Sequence, residues 1–206
     1  MSKKELAIAL SKLKVFEKPK MKLEQYPTDS EIAAEILWNA YMKGDIEGKE
    51  IADLGAGTGV LGMGALLLGA KKAVFEDIDA EALSVAKENQ ALIEQQNSLK
   101  LDADFRVCDV RAFDEHVDTV IMNPPFGTKN ENADTLFLEK AMEAAEVIYT
   151  FHKASTKEYV DAFVRNHGFA ITDYWEFDWP LRNTMAHHVK RIEKIKVGAW
   201  RIVKVF

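Results

Sequence analysis

The 206-residue sequence predicts an α/β fold built on one seven-stranded, mainly parallel sheet with an antiparallel edge. Three observations support this prediction. Short apolar segments of strand type alternate with segments of helical periodicity, which is typical of a parallel sheet with helices on both faces. A glycine-rich turn follows the first strand, and the last two strands have no helix between them. No repeat or linker interrupts the pattern, so we expect a single domain over residues 1–206.

The first element is a helical extension of about residues 1–45. Leucines recur at helical spacing within residues 3–15, among lysines. Further on, Thr28 is followed three residues later by Glu31, which is the pattern of a capping box. It predicts a second helix near Asp29–Met42, before the first strand begins.

The rest of the chain supplies the sheet and its connecting helices. The seven predicted strands lie, in order, in the segments KEIADL, KKAVFEDID, ADFRVCDV, VDTVIMNPPF, AEVIYTF, FAITDYWEFDWPL and VGAWRIVKVF. Helices are predicted at residues 80–96, at residues 131–145 and in STKEYVDAFVRNHG. We expect the tryptophans of the last strands to pack in the core, namely Trp175, Trp179 and Trp200.

Composition limits the kinds of protein this can be. No uncharged apolar run approaches the length of about 18 residues that a membrane span needs. The first residues lack the apolar block of a signal peptide, and the one cysteine, Cys108, excludes an internal disulfide. These points favour the cytoplasm. The net charge of -6 means that any nucleic-acid partner must bind to a local basic patch or to a second subunit.

The turn DLGAGTG, Asp53–Gly59, is a candidate ligand site. Its glycines Gly55 and Gly57 let a ligand lie against the backbone, and the following helix presents free amides. Asp77 ends the second strand about 20 residues later, where an acid can bind ribose hydroxyls. The turn could serve a nucleoside, a dinucleotide or only tight packing. Alternating glycines after an acidic strand end resemble the S-adenosylmethionine loop of class I methyltransferases.

Two more acids should face the same crevice, since ligands of open α/β sheets sit beyond the carboxyl ends of the strands. Asp109 closes the third strand and could accept a hydrogen bond from an adenine amino group, or could simply cap the helix that follows. Asp53 could contact the ligand, or could brace the amides of the turn. Cys108 is expected to be a buried small hydrophobe rather than a nucleophile.

The motif NPPF, Asn123–Phe126, ends the fourth strand at the same edge of the sheet. The Asn123 side-chain carbonyl and the Pro124 backbone carbonyl could accept both N–H groups of a planar amino group. The nitrogen could then pyramidalise and direct its lone pair at a methyl donor. Pro124 and Pro125 hold these groups rigidly, and Phe126 offers a stacking face for a flipped-out base. The alternative is a rigid turn at a strand end.

The segments DLGAGTG, FEDID and NPPFGTK together resemble class I N-methyltransferases, which depend on S-adenosylmethionine. LEQYPTDSEIAAEIL, NPPFGTKN and HHVKRIEKIKV are similar to the methyltransferase-like protein 5 family in particular. This resemblance covers nearly the whole chain. It implies a Rossmann-like fold, methylation of adenine N6 in small-subunit ribosomal RNA, and a small zinc-binding activator protein as partner.

The resemblance also implies roles for individual residues. The expected cofactor contacts, including those from the glycine turn, are Gln25, Thr28, Gly55, Thr58, Val60, Asp77, Asp109 and Val110. Asn123–Phe126 would form the catalytic group. Animal members often carry cysteine where Ala56 and Thr58 stand here, but both replacements are small, so we still expect cofactor binding.

Binding of RNA is expected from basic residues late in the chain. The segment 182–196 joins the last two strands and includes His188, Lys190 and Arg191, which could hold phosphates. Lys129 follows the catalytic motif and could also touch RNA. A solvated charged surface is the alternative in both places. No metal site is expected.

Other functions remain open at this point. A glutamine N5-methyltransferase acting on a release factor would use the same acceptors, and an rRNA guanine N2-methyltransferase would share the NPPF motif. A DNA adenine methyltransferase is disfavoured because a separate target-recognition domain is absent. A non-catalytic ribosome-assembly factor that binds S-adenosylmethionine would have no use for Asn123.

Overall fold

The computed structural model describes residues 1–126, 133–181 and 193–205, and it confirms the seven-stranded sheet. The strands are β1 Glu50–Leu54, β2 Lys72–Asp77, β3 Ala103–Val107, β4 Thr119–Met122, β5 Val147–Lys153, β6 Phe169–Leu181 and β7 Glu193–Lys204. Their order in the sheet is β3-β2-β1-β4-β5-β7-β6. The first five are parallel, whereas β7 runs antiparallel to both β5 and β6. The predicted antiparallel edge is therefore present.

Helices cover both faces of the sheet, as the alternating sequence pattern predicts. They are α1 Lys3–Leu10, α2 Ser30–Met42, α3 Val60–Leu67, α4 Ala80–Asn97, α5 Ala133–Ala144 and α6 Lys157–Asn166. The buried side chains of α1–α4 form one core with one face of the sheet. Those of α5 and α6 form the other core. No helix in the parts of the chain described by the structure is long and apolar enough to cross a bilayer.

The first helix is shorter than the leucine spacing predicts. It ends at Leu10 with Ser11 as its C-cap, although Leu13 is still buried. Beyond the helix, the backbone forms hydrogen bonds with the side chain of Asn89 of α4. The Asn89 side chain accepts the Lys14 N–H at 2.8 Å and donates to the Lys14 carbonyl at 3.0 Å. A tertiary contact thus replaces a continued helical turn.

The predicted capping box at the start of α2 is wrong by one residue. Asp29, not Thr28, is the N-cap, and its carboxylate accepts the N–H groups of Glu31 at 3.0 Å and Ile32 at 3.2 Å. A carboxylate near a helix N-terminus is further favoured by the helix dipole. The Thr28 hydroxyl is left to make a contact across the crevice.

The late tryptophans mostly behave as predicted. Trp179 and Trp200 are buried, and they belong to the cores on opposite faces of the sheet. Trp175 is only half-buried and packs against the same core as Trp179. The long β6–β7 pair therefore contributes to both cores.

A buried polar cluster ties the loop before β1 to the strands at the far end of the chain. Asp45 accepts hydrogen bonds from the Tyr149 hydroxyl at 2.6 Å and from Arg201 Nε at 2.8 Å. Burial, together with the Asp45 carboxylate, raises the pKa of Tyr149 above its ordinary value. The phenol therefore stays protonated and remains a donor.

Candidate active site

One crevice at the carboxyl ends of the strands brings together every residue predicted to bind the cofactor. Its lining includes Gln25, Thr28, Asp53, Gly55, Gly57, Thr58, Val60, Asp77, Asp109 and Val110. Asn123 and Pro125 of the NPPF motif line the same crevice. The structure thus places the predicted ligand-binding and catalytic groups around one space, as the topology of an open α/β sheet requires.

The glycine turn between β1 and α3 forms the floor of the crevice. Gly57 has a φ angle of 54°, which side-chain-bearing residues rarely adopt. A Cβ atom at this position would stand 2.8 Å from Cζ of Phe16. The Gly57 N–H donates to the Asp77 carboxylate at 2.7 Å. Only glycine fits both this backbone conformation and this close contact.

Buried acids hold the turn in place. The Asp53 carboxylate accepts the Gly62 N–H of α3 at 2.8 Å, and Glu76 accepts the Gly55 N–H at 3.3 Å. These contacts support the interpretation of Asp53 as a brace for backbone amides. Asp77 also accepts the Asp79 N–H at 2.8 Å, so the strand-end acid is itself held rigidly.

The same acids have pKa values displaced by their surroundings. Burial raises the pKa of Asp53 to about 7 and that of Glu76 to about 8. The pKa of Asp77 is also raised, again chiefly by burial. Acids held this close in a crevice favour a ligand that brings hydrogen-bond donors or positive charge. A nucleoside with ribose hydroxyls and a sulfonium group has both, so these residues fit S-adenosylmethionine.

Asp109 lies two residues beyond β3 rather than closing it. Its carboxylate caps a single helical turn by accepting the Arg111 N–H at 3.0 Å. The Arg111 guanidinium donates to it at 2.6 Å and 2.8 Å and lowers the pKa of Asp109 to about 2. These contacts agree with the interpretation of Asp109 as a helix cap. Contact of Asp109 with adenine remains a prediction.

Gln25 is fixed by its neighbours at both ends of its amide. Its Nε2 donates to Asp79 at 2.7 Å, and its Oε1 accepts the Lys20 N–H at 2.8 Å. Asp79 is the N-cap of α4, and it also pairs with the Lys20 ammonium group at 2.8 Å. Although burial opposes it, these bonds lower the pKa of Asp79. The segment before α2 is thereby anchored to the crevice rim.

The NPPF motif meets the same N-terminal segment. Asn123 Nδ2 donates to the Thr28 hydroxyl oxygen at 3.1 Å, and the Phe126 N–H donates to the Glu24 carboxylate at 3.1 Å. Asn123 Oδ1 is buried and has no hydrogen-bond partner within the described chain. The Phe126 ring is half-buried and packs against the core. Asn123, which lines the crevice, therefore carries a buried acceptor that has no partner in the described chain.

Several residues of this site escaped the sequence analysis. Glu24 and Glu76 lie inside the segments LEQYPT and FEDID. An acidic residue within a ligand-binding motif is the sequence signal that could have identified them. Phe16 and Phe137 pack against the glycine turn and line the crevice. No local pattern marks these two rings, because only the tertiary fold brings them to the turn.

The remaining site predictions have mixed outcomes. Cys108 is half-buried rather than buried, and burial raises the pKa of its thiol, which disfavours the nucleophilic thiolate. Across residues 1–126, 133–181 and 193–205, no cluster of three or more His, Cys, Asp or Glu side chains could hold a metal ion. The proposed RNA contacts Lys129, His188, Lys190 and Arg191 lie outside the described residues.

Comparisons with known proteins agree with this architecture. The family model described as "Methyltransferase small domain" matches residues 28–149. The chain is 37% identical to the rRNA N(6)-adenosine-methyltransferase of Danio rerio, over 96% of this chain and 96% of the relative. It is also 37% identical to an uncharacterised protein of Methanocaldococcus jannaschii, over 100% of this chain and 95% of that protein.

A solved structure extends the comparison to three dimensions. A candidate RNA methyltransferase of Pyrococcus horikoshii superposes with a TM-score of 0.90 at 45% identity. The match covers 99% of this chain and 98% of the other. The similarity therefore includes the N-terminal extension and the antiparallel edge as well as the central sheet.

Proposed function

Since the chain belongs to the methyltransferase small domain family and, within it, to the rRNA N6-adenosine-methyltransferases, we propose that its crevice methylates the N6 amino group of an adenosine in RNA. The protein is an S-adenosylmethionine-dependent RNA adenine methyltransferase. The same relatives support ribosomal RNA as the substrate, and we propose the small-subunit RNA in particular.

One observation carries the assignment of the reacting group. Asn123 Oδ1 is a buried acceptor without a partner in the described chain. Leaving such an acceptor unsatisfied costs roughly 1–3 kcal/mol. A substrate that donates an N–H group would relieve this cost, whereas a carbonyl oxygen would not. The site is therefore suited to an exocyclic amino group, such as adenine N6.

The motif can activate this amino group without a strong base. Asn123 Oδ1 and the Pro124 carbonyl accept its two N–H groups, which draws the nitrogen away from planarity. Its lone pair then leaves conjugation with the ring and becomes available for bonding. Rigid acceptors held in advance make this activation effective. Pro125 keeps the backbone in place, and Phe126 provides a ring for the flipped-out base.

The cofactor, when bound, would supply the methyl group as an electrophile: the new N–C bond forms as the S–C bond breaks, which leaves S-adenosylhomocysteine. The nitrogen then loses one of its two original protons to solvent. The residues that would hold it are those of the crevice described above. Asp77 would bind the ribose hydroxyls, and the turn around Gly55 and Gly57 would lie beneath it. The Asp53 carboxylate holds the start of α3 by accepting the Gly62 N–H, and its contact with the cofactor stays a prediction.

We further propose that a small zinc-binding activator pairs with the β3 edge of the sheet. Among the strands that the structure describes, β3 has a neighbour on one side only. Val107 at its end and Ile78 nearby are each 56% exposed. Backbone pairing along this edge combined with apolar contacts is a common mode of recognition. We also propose that the enzyme works in the cytoplasm, as its single cysteine suggests.

Product analysis tests the proposed function. The protein, with and without such an activator, is incubated with isotope-labelled S-adenosylmethionine and with total RNA from cells that lack the enzyme. The RNA is digested, and the labelled nucleoside is identified. We expect N6-methyladenosine. Labelled N2-methylguanosine, or label in protein alone, would refute the assignment.

The Asn123→Ala variant tests the role of the amide. Removing one preorganised hydrogen-bonding group commonly lowers turnover by about 100-fold or more. We expect a loss of this size with cofactor affinity close to that of the wild type. Asn166→Ala, at an exposed position on α6, is the matched control and should keep full turnover. A large fall in cofactor affinity for Asn123→Ala would argue against its catalytic role.

A further inference from the structure

Two hydrogen bonds connect the NPPF motif to the segment Glu24–Thr28. Thr28 Oγ1 accepts from Asn123 Nδ2, and Glu24 accepts from the Phe126 N–H, each at 3.1 Å. The partners are 95 and 102 residues apart in sequence. Glu24 is buried and has a φ angle of 49°, which is uncommon for a residue other than glycine. The segment is thus held in a specific conformation against the motif.

In the structure, the Thr28 hydroxyl oxygen bonds to the donor end of the Asn123 amide. An asparagine side chain has a donor end and an acceptor end. Because Nδ2 is bonded to Thr28, Oδ1 lies at the opposite end, where it is buried and has no partner in the described chain. If the amide rotated by half a turn, an NH₂ group would face the substrate instead. That group could bind a carbonyl oxygen but could not accept from an amino group.

We propose that Thr28 is a positioning residue for methyl transfer: its hydroxyl holds the Asn123 amide with Oδ1 directed at the target amino group. This inference rests on the proposed function and adds a determinant of substrate choice to it. Thr28 thereby favours nucleobases that present an exocyclic amino group over those that present a carbonyl group. A threonine hydroxyl can accept one hydrogen bond and donate another, so it selects this orientation of the amide when its own proton is donated to another group.

Substitutions at Thr28 separate positioning from packing. Thr28→Val keeps the branched shape and removes the hydroxyl, whereas Thr28→Ser keeps the hydroxyl. We expect Thr28→Val to lower kcat by roughly 10- to 100-fold, because misplacing a reacting group slightly has effects of this size. Thr28→Ser should recover most of the lost kcat. Because Thr28 is also an expected cofactor contact, kcat is measured at saturating cofactor, and the affinity for S-adenosylhomocysteine is measured by calorimetry in both variants.

A double substitution tests whether Thr28 acts through Asn123. In single-turnover assays, Thr28→Val should have little further effect once Asn123→Ala is present, because the amide to be oriented is gone. Independent, multiplicative effects would overturn the proposal. So would a Thr28→Val variant with unchanged kcat, or one whose entire defect is weaker cofactor binding.

A spectroscopic measurement provides a readout besides activity. The Asn123 side-chain NH₂ signals can be assigned in ¹⁵N-labelled protein by their absence from Asn123→Ala. We expect sharp signals in the wild type and in Thr28→Ser, and shifted or broadened signals in Thr28→Val. Identical signals in all three proteins would overturn the proposal.

Failure of this inference can be distinguished from failure of the proposed function. If the wild type methylates guanine N2 or a protein amide, the proposed function fails, yet Thr28→Val must still lower kcat for the orientation role to hold. If the wild type forms N6-methyladenosine and Thr28→Val does so equally fast, only the orientation role fails.

Discussion

Replacing Glu76 by glutamine should make the stability of the protein less sensitive to pH. Glu76 is 1% exposed, and burial raises its pKa from 4.5 to about 8. The folded protein therefore holds this proton more tightly than the unfolded chain does. The resulting stabilisation is fully present below about pH 4.5 and is lost as the pH rises through about 8.

The size of the effect follows from this difference in pKa. Each pKa unit corresponds to about 1.4 kcal/mol. Between about pH 5 and pH 8, the Glu76 proton should therefore account for a fall of about 3 kcal/mol in the free energy of unfolding. Glutamine cannot ionise, and its side-chain oxygen can still accept the Gly55 N–H. The variant should lose this part of the pH dependence and keep the part that comes from Asp53.

Urea unfolding followed by circular dichroism at several pH values measures this directly. The variant should become more stable than the wild type near pH 8, while the two should be similar near pH 5. Glu139→Gln, at an exposed position on α5, is the control and should follow the wild type. Parallel pH profiles for wild type and Glu76→Gln would refute the reasoning.

Two further substitutions test how the fold supports the site. Gly62→Ala should destabilise the protein by about 1–3 kcal/mol in urea unfolding, because the alanine Cβ would lie 2.3 Å from Cε1 of Phe75 in a packed core. A variant as stable as the wild type, or more stable, would contradict this view of the packing. Asp45→Ala should lower the free energy of unfolding by about 3 kcal/mol or more, because the Arg201 side chain, only 15% exposed, would lose its carboxylate partner. A loss of stability as small as that for an exposed ion pair would contradict this expectation. In a double-mutant cycle, the effects of Asp45→Ala and Tyr149→Phe on the free energy of unfolding should be non-additive.

The features of the fold that could be predicted from sequence are those set by local pattern. Each strand and helix has its own periodicity, and the connections between parallel strands follow from that alternation. The position of β7 between β5 and β6 could not be predicted in this way. It depends on which strand edges pair, and nothing in VGAWRIVKVF specifies its neighbours.

In the candidate site, too, the local sequence predicts some features and not others. Asp77 and Asn123 could be placed at the crevice because both follow strands whose carboxyl ends meet at one edge of the sheet. The partnership of Thr28 with Asn123 could not, since it joins residues 95 positions apart. Thr28 and Asp29 are both good helix caps in principle. The local sequence cannot decide between them, and the tertiary contact to Asn123 engages Thr28.

The placement of β7 has a consequence for how the chain is made. β7 is synthesised after β5 and β6, yet it lies between them in the sheet. Until it arrives, the nascent polypeptide displays the unpaired backbone of β5, a surface open to misassembly with other chains. Shielding of this edge by a chaperone would be most valuable during that interval.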